Sequence, residues 1–178
     1  KGWILLGFLM DPRTGLGRFR NFKISNYQLM ENLIGMCNTM KIENILENPD
    51  IKERVILFFE QNELFKEMIL ANSTIKDEII ITDLRKLEMI YTGNRFLIYS
   101  LFPKQNVSIW IVSGKAGEGC SCAVGHSIIN RTSRINVGTL MLKYGGGGHR
   151  AVGTCQFDEN SMIENISSLM EDMISLNR

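Results

Sequence analysis

Four consecutive glycines, Gly145-Gly146-Gly147-Gly148, followed by His149 and Arg150, constrain this chain more than any other stretch. Glycine loses more backbone freedom on folding than any other residue. Such a run is unfavourable unless the fold needs positive φ there, or something must approach the backbone closely. A helix C-terminus meets the first need with a single glycine. Successive N–H groups in a tight turn also form a concavity that receives anions. His149 and Arg150 at its lip add charge-assisted donors. Gly145, Gly146, Gly147 and Gly148 with His149 and Arg150 therefore read as a phosphate seat.

The rest of the composition makes any such binding local. The formal charge is +1 over 178 residues, so no global field draws polyanions. Hydrophobic content of 44% and charged content of 22% are ordinary for a globular protein. No apolar stretch reaches spanning length, so no membrane partner is expected. The opening GWILLGFLM runs directly into Asp11-Pro12-Arg13 without a small-residue cleavage site, which argues against a signal peptide. The start lacks Met and reads as a buried strand cut from a longer chain. The four cysteines, Cys37, Cys120, Cys122 and Cys155, read as free thiols in a reducing cytoplasm. Cys120-x-Cys122 with His126 and His149 does not have standard zinc spacing, and strand alternation explains both cysteines.

Periodicity divides the chain. Residues 2–10 read as a buried strand, 11–22 as a Gly/Arg loop, and 26–37 as a helix capped by Ser25 or Asn26. Its stripe is Leu29, Met30, Leu33, Ile34 and Cys37. Residues 38–49 read as a connector, and 50–71 as a helix started by Pro49. Strands are expected at 78–84, 95–102, 107–112, 120–124 and 151–157, with a turn at 114–119. Helices are expected at 137–144 and 161–176, the latter with Ile163, Ile166, Leu169, Met170 and Met173 inward. The period switch near residue 45 places a boundary between residues 1–45 and 46–178, and the whole reads as α+β, an α/β mixture with a mixed five-stranded sheet flanked by helices.

LMLKYGGGGHRAVGTCQF, residues 140–157, resembles the GGGH signature of the DHHA1 domain. That domain is the C-terminal substrate-binding half of the DHH phosphoesterases. Residues 125–132, GHSIINRT, and residues 11–26 resemble the exopolyphosphatase-related, nanoRNase-like branch. The resemblance implies that residues 1–45 are the remnant of a DHH catalytic domain and 46–178 a DHHA1 domain. It implies a hydrolase with two divalent metals, usually Mn²⁺, acting on phosphodiester or phosphoanhydride bonds. The substrate would be a short single-stranded nucleic acid, a nucleotide or polyphosphate, and a homodimer is a further expectation. No Asp-His-His occurs in the chain. Asp11, in DPRTGLGRF, matches a metal-ligand aspartate of the family's Asp-Thr-Gly-x-Phe pattern, with extra residues. His149 and the glycine loop would hold phosphate as the catalytic group and its cradle.

Other candidates are weaker in pattern. Arg131, with Ser127 and Asn130, lies in a polar segment that in the family contacts substrate; solvated arginine and local turn bonds are the plain alternatives. Arg13, with Arg18 and Arg20, makes a basic loop beside Asp11. His126 reads as an ordinary satisfied histidine. Tyr144 is open between packing and base stacking. The other class of function is a non-catalytic nucleic-acid-binding module, as in the C-terminal region of alanyl-tRNA synthetases. One carboxylate cannot hold two metals, so this chain alone is expected to be inactive.

Overall fold

The computed structural model describes residues 1–114 and 119–177. The chain divides into two compact units, Lys1–Met68 with Tyr91–Leu97, and Ile69–Ile90 with Ile98–Arg178.

In the first unit, α1 (Gly2–Met10) leads into two short 3₁₀ turns, Pro12–Thr14 and Leu16–Arg18. Helices α2 (Asn26–Thr39) and α3 (Ile42–Leu46) follow, and α4 (Pro49–Asn72) starts here. The Ser25 hydroxyl accepts from the Gln28 amide at 3.1 Å, which supplies the expected N-cap. Proline at the first position of α4 costs nothing, because that N–H has no helical partner. Leu6, Leu9, Leu16, Leu29, Leu33, Ile45, Ile51 and Phe58 form the core of the unit. Each fully buried aliphatic chain in it contributes about 1.5–3 kcal/mol.

Residues 2–10 are helical, not the strand expected. Leu6 and Leu9, three apart on one helical face, enter the core, while Trp3 and Ile4 stay exposed. On α2 only Leu29 and Leu33 are buried; Met30, Ile34 and Cys37, expected on the inner stripe, are exposed. Arg54 is 2% exposed and ties the segment before α2 to α4. It donates to the Ile24 carbonyl at 2.7 Å, to Asn26 Oδ1 at 3.1 Å, and to the Asp50 carbonyl and Glu53 Oε1. Its guanidinium lies 3.9 Å from the Phe22 ring centroid.

In the second unit β1 (Ser73–Lys76), β2 (Ile79–Asp83), β3 (Val107–Ser113), β4 (Cys120–His126), β5 (Gly147–His149) and β6 (Val152–Phe157) form one sheet in the order β1-β2-β3-β4-β6-β5. The pair β2–β3 is parallel and the other pairs are antiparallel. Alternate residues of the strands, among them Ile79, Ile109, Ile111, Cys122, Val124 and Cys155, face helices α6 (Val137–Lys143) and α7 (Met162–Asn177). Leu169, Met170 and Met173 of α7 are buried there as expected, whereas Ile163 is 73% exposed.

The mixed α+β architecture holds, with six strands among the described residues rather than five. Residues 95–102 are not a strand. Parallel β2 and β3 require a crossover, and α5 (Leu97–Leu101) lies within it. The Tyr99 hydroxyl pairs with Ser108 Oγ at 2.9 Å and donates to the Gly125 carbonyl at 3.1 Å. Strands β1 and β5 were not expected. The Gly114 amide donates to the Gly119 carbonyl at 3.0 Å at the base of the β3–β4 connection. Residues 115–118 of the expected turn lie outside the described residues.

Candidate functional site

Asn136 caps α6 by accepting from the Thr139 amide at 3.3 Å, and the helix ends in the glycine run. Gly145 sits at φ 72°, the left-handed conformation of a helix C′ residue. Its amide donates to the Leu142 carbonyl at 3.1 Å, and the Gly146 amide donates to the Met141 carbonyl at 2.9 Å. These are the two bonds of a Schellman cap. The expectation that all four amides face a ligand is therefore corrected. The first two satisfy the last carbonyls of α6.

The chain then turns directly into β5, the edge strand against β6. A Cβ on Gly146 would strike the Thr154 carbonyl oxygen, and one on Gly148 the Val152 carbonyl oxygen. Gly138 and Gly153 admit the same close approach from α6 and β6. A Cβ on Gly138 would lie 2.9 Å from the Gly148 carbonyl oxygen, and one on Gly153 2.8 Å from that of Gly147. Gly147 differs from its neighbours. It is not among the glycines with positive φ, and an added Cβ would meet nothing within 4 Å. The fold gives a reason for glycine at 145, 146 and 148 and none at 147.

His149 and Arg150 are exposed beside it. Neither side chain makes a hydrogen bond or ion pair among the described residues. The backbone of this turn is fixed: the Arg150 carbonyl accepts from the Val137 amide at 2.9 Å, and the Ala151 carbonyl accepts from the His126 amide at 2.8 Å. The end of β4 and the start of α6 thus converge on the β5–β6 turn. The segment 127–131 leaves from that same end of the sheet.

Within it, Ser127 is buried, and its hydroxyl accepts from the Ile129 and Asn130 amides at 3.1 and 3.0 Å. Asn130 donates to the Lys104 carbonyl at 2.6 Å and accepts from the Thr132 hydroxyl at 2.7 Å. Both are engaged in shaping the loop. Arg131 is exposed and spends one donor, its Nε, on the Ile128 carbonyl at 3.2 Å. His126 Nε2 pairs with the Ile135 carbonyl at 2.9 Å, as an ordinary satisfied histidine does. A cavity of 510 Å³ at the β1–β2 turn, lined by Asp77, Glu78, Thr132 and Arg134 among others, does not include His149.

Asp172, on α7, orients the entry to the loop and carries no motif by which it could be foreseen. Its carboxylate accepts from Lys143 Nζ at 2.6 Å and from the Tyr144 hydroxyl at 2.7 Å. The Tyr144 ring packs edge-on against Phe157, with centroids 5.9 Å apart. Tyr144 is thus a packed residue of the cap. The bonds from Lys143 and then Tyr144 hold the Asp172 carboxyl below the usual carboxylate range. Burial, then the bond to Asp172, pushes the Tyr144 phenol up.

In the first unit, Asp11 follows α1. Its carbonyl accepts from the Thr14 hydroxyl at 2.8 Å, and the residue borders a cavity of 60 Å³ with Phe8, Thr14, Asn94, Arg95 and Phe96. Arg13 lies in the adjoining 3₁₀ turn, and its side chain is outside the described residues.

A mixed sheet whose edge hairpin carries a glycine–histidine loop, backed by a helix capped into that loop, is the architecture of a DHHA1-type domain. No protein-family model matches the sequence, and no curated protein does. Solved structures do. Over 99% of its length the chain is 47% identical to a pGpG-specific phosphodiesterase, PggH, from Vibrio cholerae, with a TM-score of 0.94. It shares the fold, at 12% identity and a TM-score of 0.52 over 85% of its length, with an exopolyphosphatase-related protein from Bacteroides fragilis. The chain belongs to the DHH/DHHA1 phosphoesterase family. It spans 60% of the length of the Vibrio protein and 44% of the Bacteroides one.

Membership implies two divalent metals. A pair of ions needs several carboxylates and imidazoles in one place. Among the described residues no group of three or more His, Cys, Asp or Glu stands together. Asp11 by itself does not fit such a pair.

Proposed function

We propose that this chain is the substrate-binding part of a phosphodiesterase that hydrolyses linear dinucleotides of the pGpG type, or similarly short oligonucleotides. The observation that carries this reading is the 47% identity, spread over 99% of the chain, to a pGpG-specific phosphodiesterase. That likeness includes the Asp11 segment, which has no place in a synthetase-type nucleic-acid-binding module. The glycine loop supplies the local chemistry. At Gly147 a phosphate oxygen approaches the backbone where a side chain would stand in its way. The exposed His149 ring supplies a hydrogen bond to charge building on phosphorus, held in place by the β5–β6 ladder. Arg150 and Arg131, both exposed, neutralise the remaining phosphate charge. In this reading Ser127 and Asn130 hold the loop that presents Arg131.

The test is hydrolysis of pGpG by the intact protein and its His149→Ala form. kcat/KM is expected to fall by about 10²–10³, as when one donor to a developing oxyanion is removed. An unchanged kcat/KM with folded protein would overturn the assignment.

A further inference from the structure

Three buried thiols in the second unit have no part in the proposed chemistry. Cys120 and Cys122 are 2% and 0% exposed on β4, and Cys155 is 2% exposed on β6. All three are free. Cys122 and Cys155 are direct cross-strand partners in the antiparallel β4–β6 register. Directly opposed residues in such a ladder have Cα atoms about 4.5–5.5 Å apart, inside the range of about 4.4–6.8 Å that a disulfide accepts. Cys120 faces Phe157 instead. It stands two residues from Cys122 along the strand, about 6.4–6.8 Å away, at the outer limit of the range a bridge accepts.

We infer that Cys122 and Cys155 form a reversible redox site, closed to a disulfide by exchange with a small disulfide of the glutathione class. The thiolate of one cysteine attacks the external disulfide, gives a mixed disulfide and releases one thiol. The second cysteine then attacks its partner's sulfur and releases the other thiol. One external disulfide is reduced to two thiols as two protein thiols lose two protons and two electrons to form the bridge. The Cys122 thiol hydrogen-bonds Cys155, which pushes Cys122 up and favours the thiolate at Cys155, so Cys155 attacks first.

Reversibility follows from geometry. Opposed Cβ atoms in a ladder stand about 4.5–5.5 Å apart, and a relaxed bridge wants about 3.8 Å. Closing it draws β6 toward β4, and a bridge strained in this way is readily reduced. The glycine loop feels that movement. A Cβ on Gly146 would lie only 2.7 Å from Cys155 Cβ and 2.8 Å from its Cα, so the Schellman cap rests directly on Cys155. Opening of that cap is also the path by which an oxidant reaches the sulfur.

The test uses this chain with Cys37→Ser, which removes the exposed thiol. It is equilibrated across a series of glutathione disulfide to glutathione ratios, acid-quenched, alkylated and mapped by peptide mass. The expected product is one internal link between Cys122 and Cys155, removed by dithiothreitol, with Cys120 alkylated throughout. Hydrogen exchange of peptides covering residues 141–149 is expected to quicken in the linked form as the Gly145 and Gly146 amide bonds loosen. Full alkylation of all three thiols at every ratio, or a link to Cys120, would overturn the site. Unchanged exchange in a linked protein would overturn its connection to the loop. Neither readout involves nucleotide, so failure here is distinct from failure of the proposed function.

Discussion

At the residue scale the glycine run separates two demands that look alike in a sequence. Gly145 provides a left-handed C′ residue, and Gly146 and Gly148 leave room for carbonyls of β6. Gly147 answers to nothing inside the protein. Alanine at each position tells them apart. Gly146→Ala forces a methyl into the Thr154 carbonyl, at a cost of about 1–3 kcal/mol in urea unfolding. Gly147→Ala leaves unfolding within about 0.5 kcal/mol of the parent, yet weakens pGpG binding measured by calorimetry. Equal affinity for parent and Gly147→Ala would show that the open space there is not where substrate approaches. His149→Ala is expected to leave the unfolding midpoint in place, since the ring makes no bond among the described residues.

At the element scale, what the sequence disclosed depended on how each element is held. The helix 26–39 was readable because Ser25 caps it, and α4 because Pro49 opens it. Strands β2 and β3 were readable because β-branched runs are buried in the centre of a sheet, and β4 because Cys120, Cys122 and Val124 alternate on its buried face. Residues 2–10 and 95–102 were misread for one reason. A short apolar run has no period of its own, and tertiary packing decides between strand and helix. Strand β5 was invisible because two of its three residues are glycine, with no side-chain alternation to see. The cap of α6 was legible in part: its glycine could be foreseen, but Asp172, 28 residues beyond Tyr144, could not. That contact carries a pH signature. The Asp172 carboxyl lies below its usual value in the folded protein. Its contribution is therefore complete above the unfolded pKa of about 3.9, and is lost as pH falls through the lower folded value. With its side chain 29% exposed, the effect is about 1 kcal/mol or less. Asp172→Ala is expected to be less stable than the parent by that amount at pH 7 in urea melts, with the gap closing as pH falls below the unfolded carboxylate value. A gap that persists undiminished at low pH would assign the loss to packing instead of charge.

At the scale of the whole molecule, the two units carry unequal shares of the chemistry. The second holds the glycine loop, His149, Arg150 and Arg131, the residues proposed to receive phosphate. The first holds Asp11, and among the described residues no group of three or more His, Cys, Asp or Glu stands together. Binding and turnover should accordingly part company. This chain is expected to bind pGpG, with affinity that falls as salt rises because the contacts are to phosphate. Added Mn²⁺ is expected to produce no hydrolysis, since generating a hydroxide and stabilising the leaving oxygen both call for ions held by several ligands. Incubation of the chain with pGpG and Mn²⁺, followed by chromatography for GMP, decides the matter. Sustained release of GMP would mean that the chain carries a reactive centre of its own, and Asp11 with its small cavity beside Arg95 would be the first place to look for it. Binding without release would mean that the loop recognises the phosphodiester independently of whatever cleaves it. The longer Vibrio protein, of which this chain matches 60%, would then derive its reaction from residues that this chain does not contain and its grip on substrate from residues that it does.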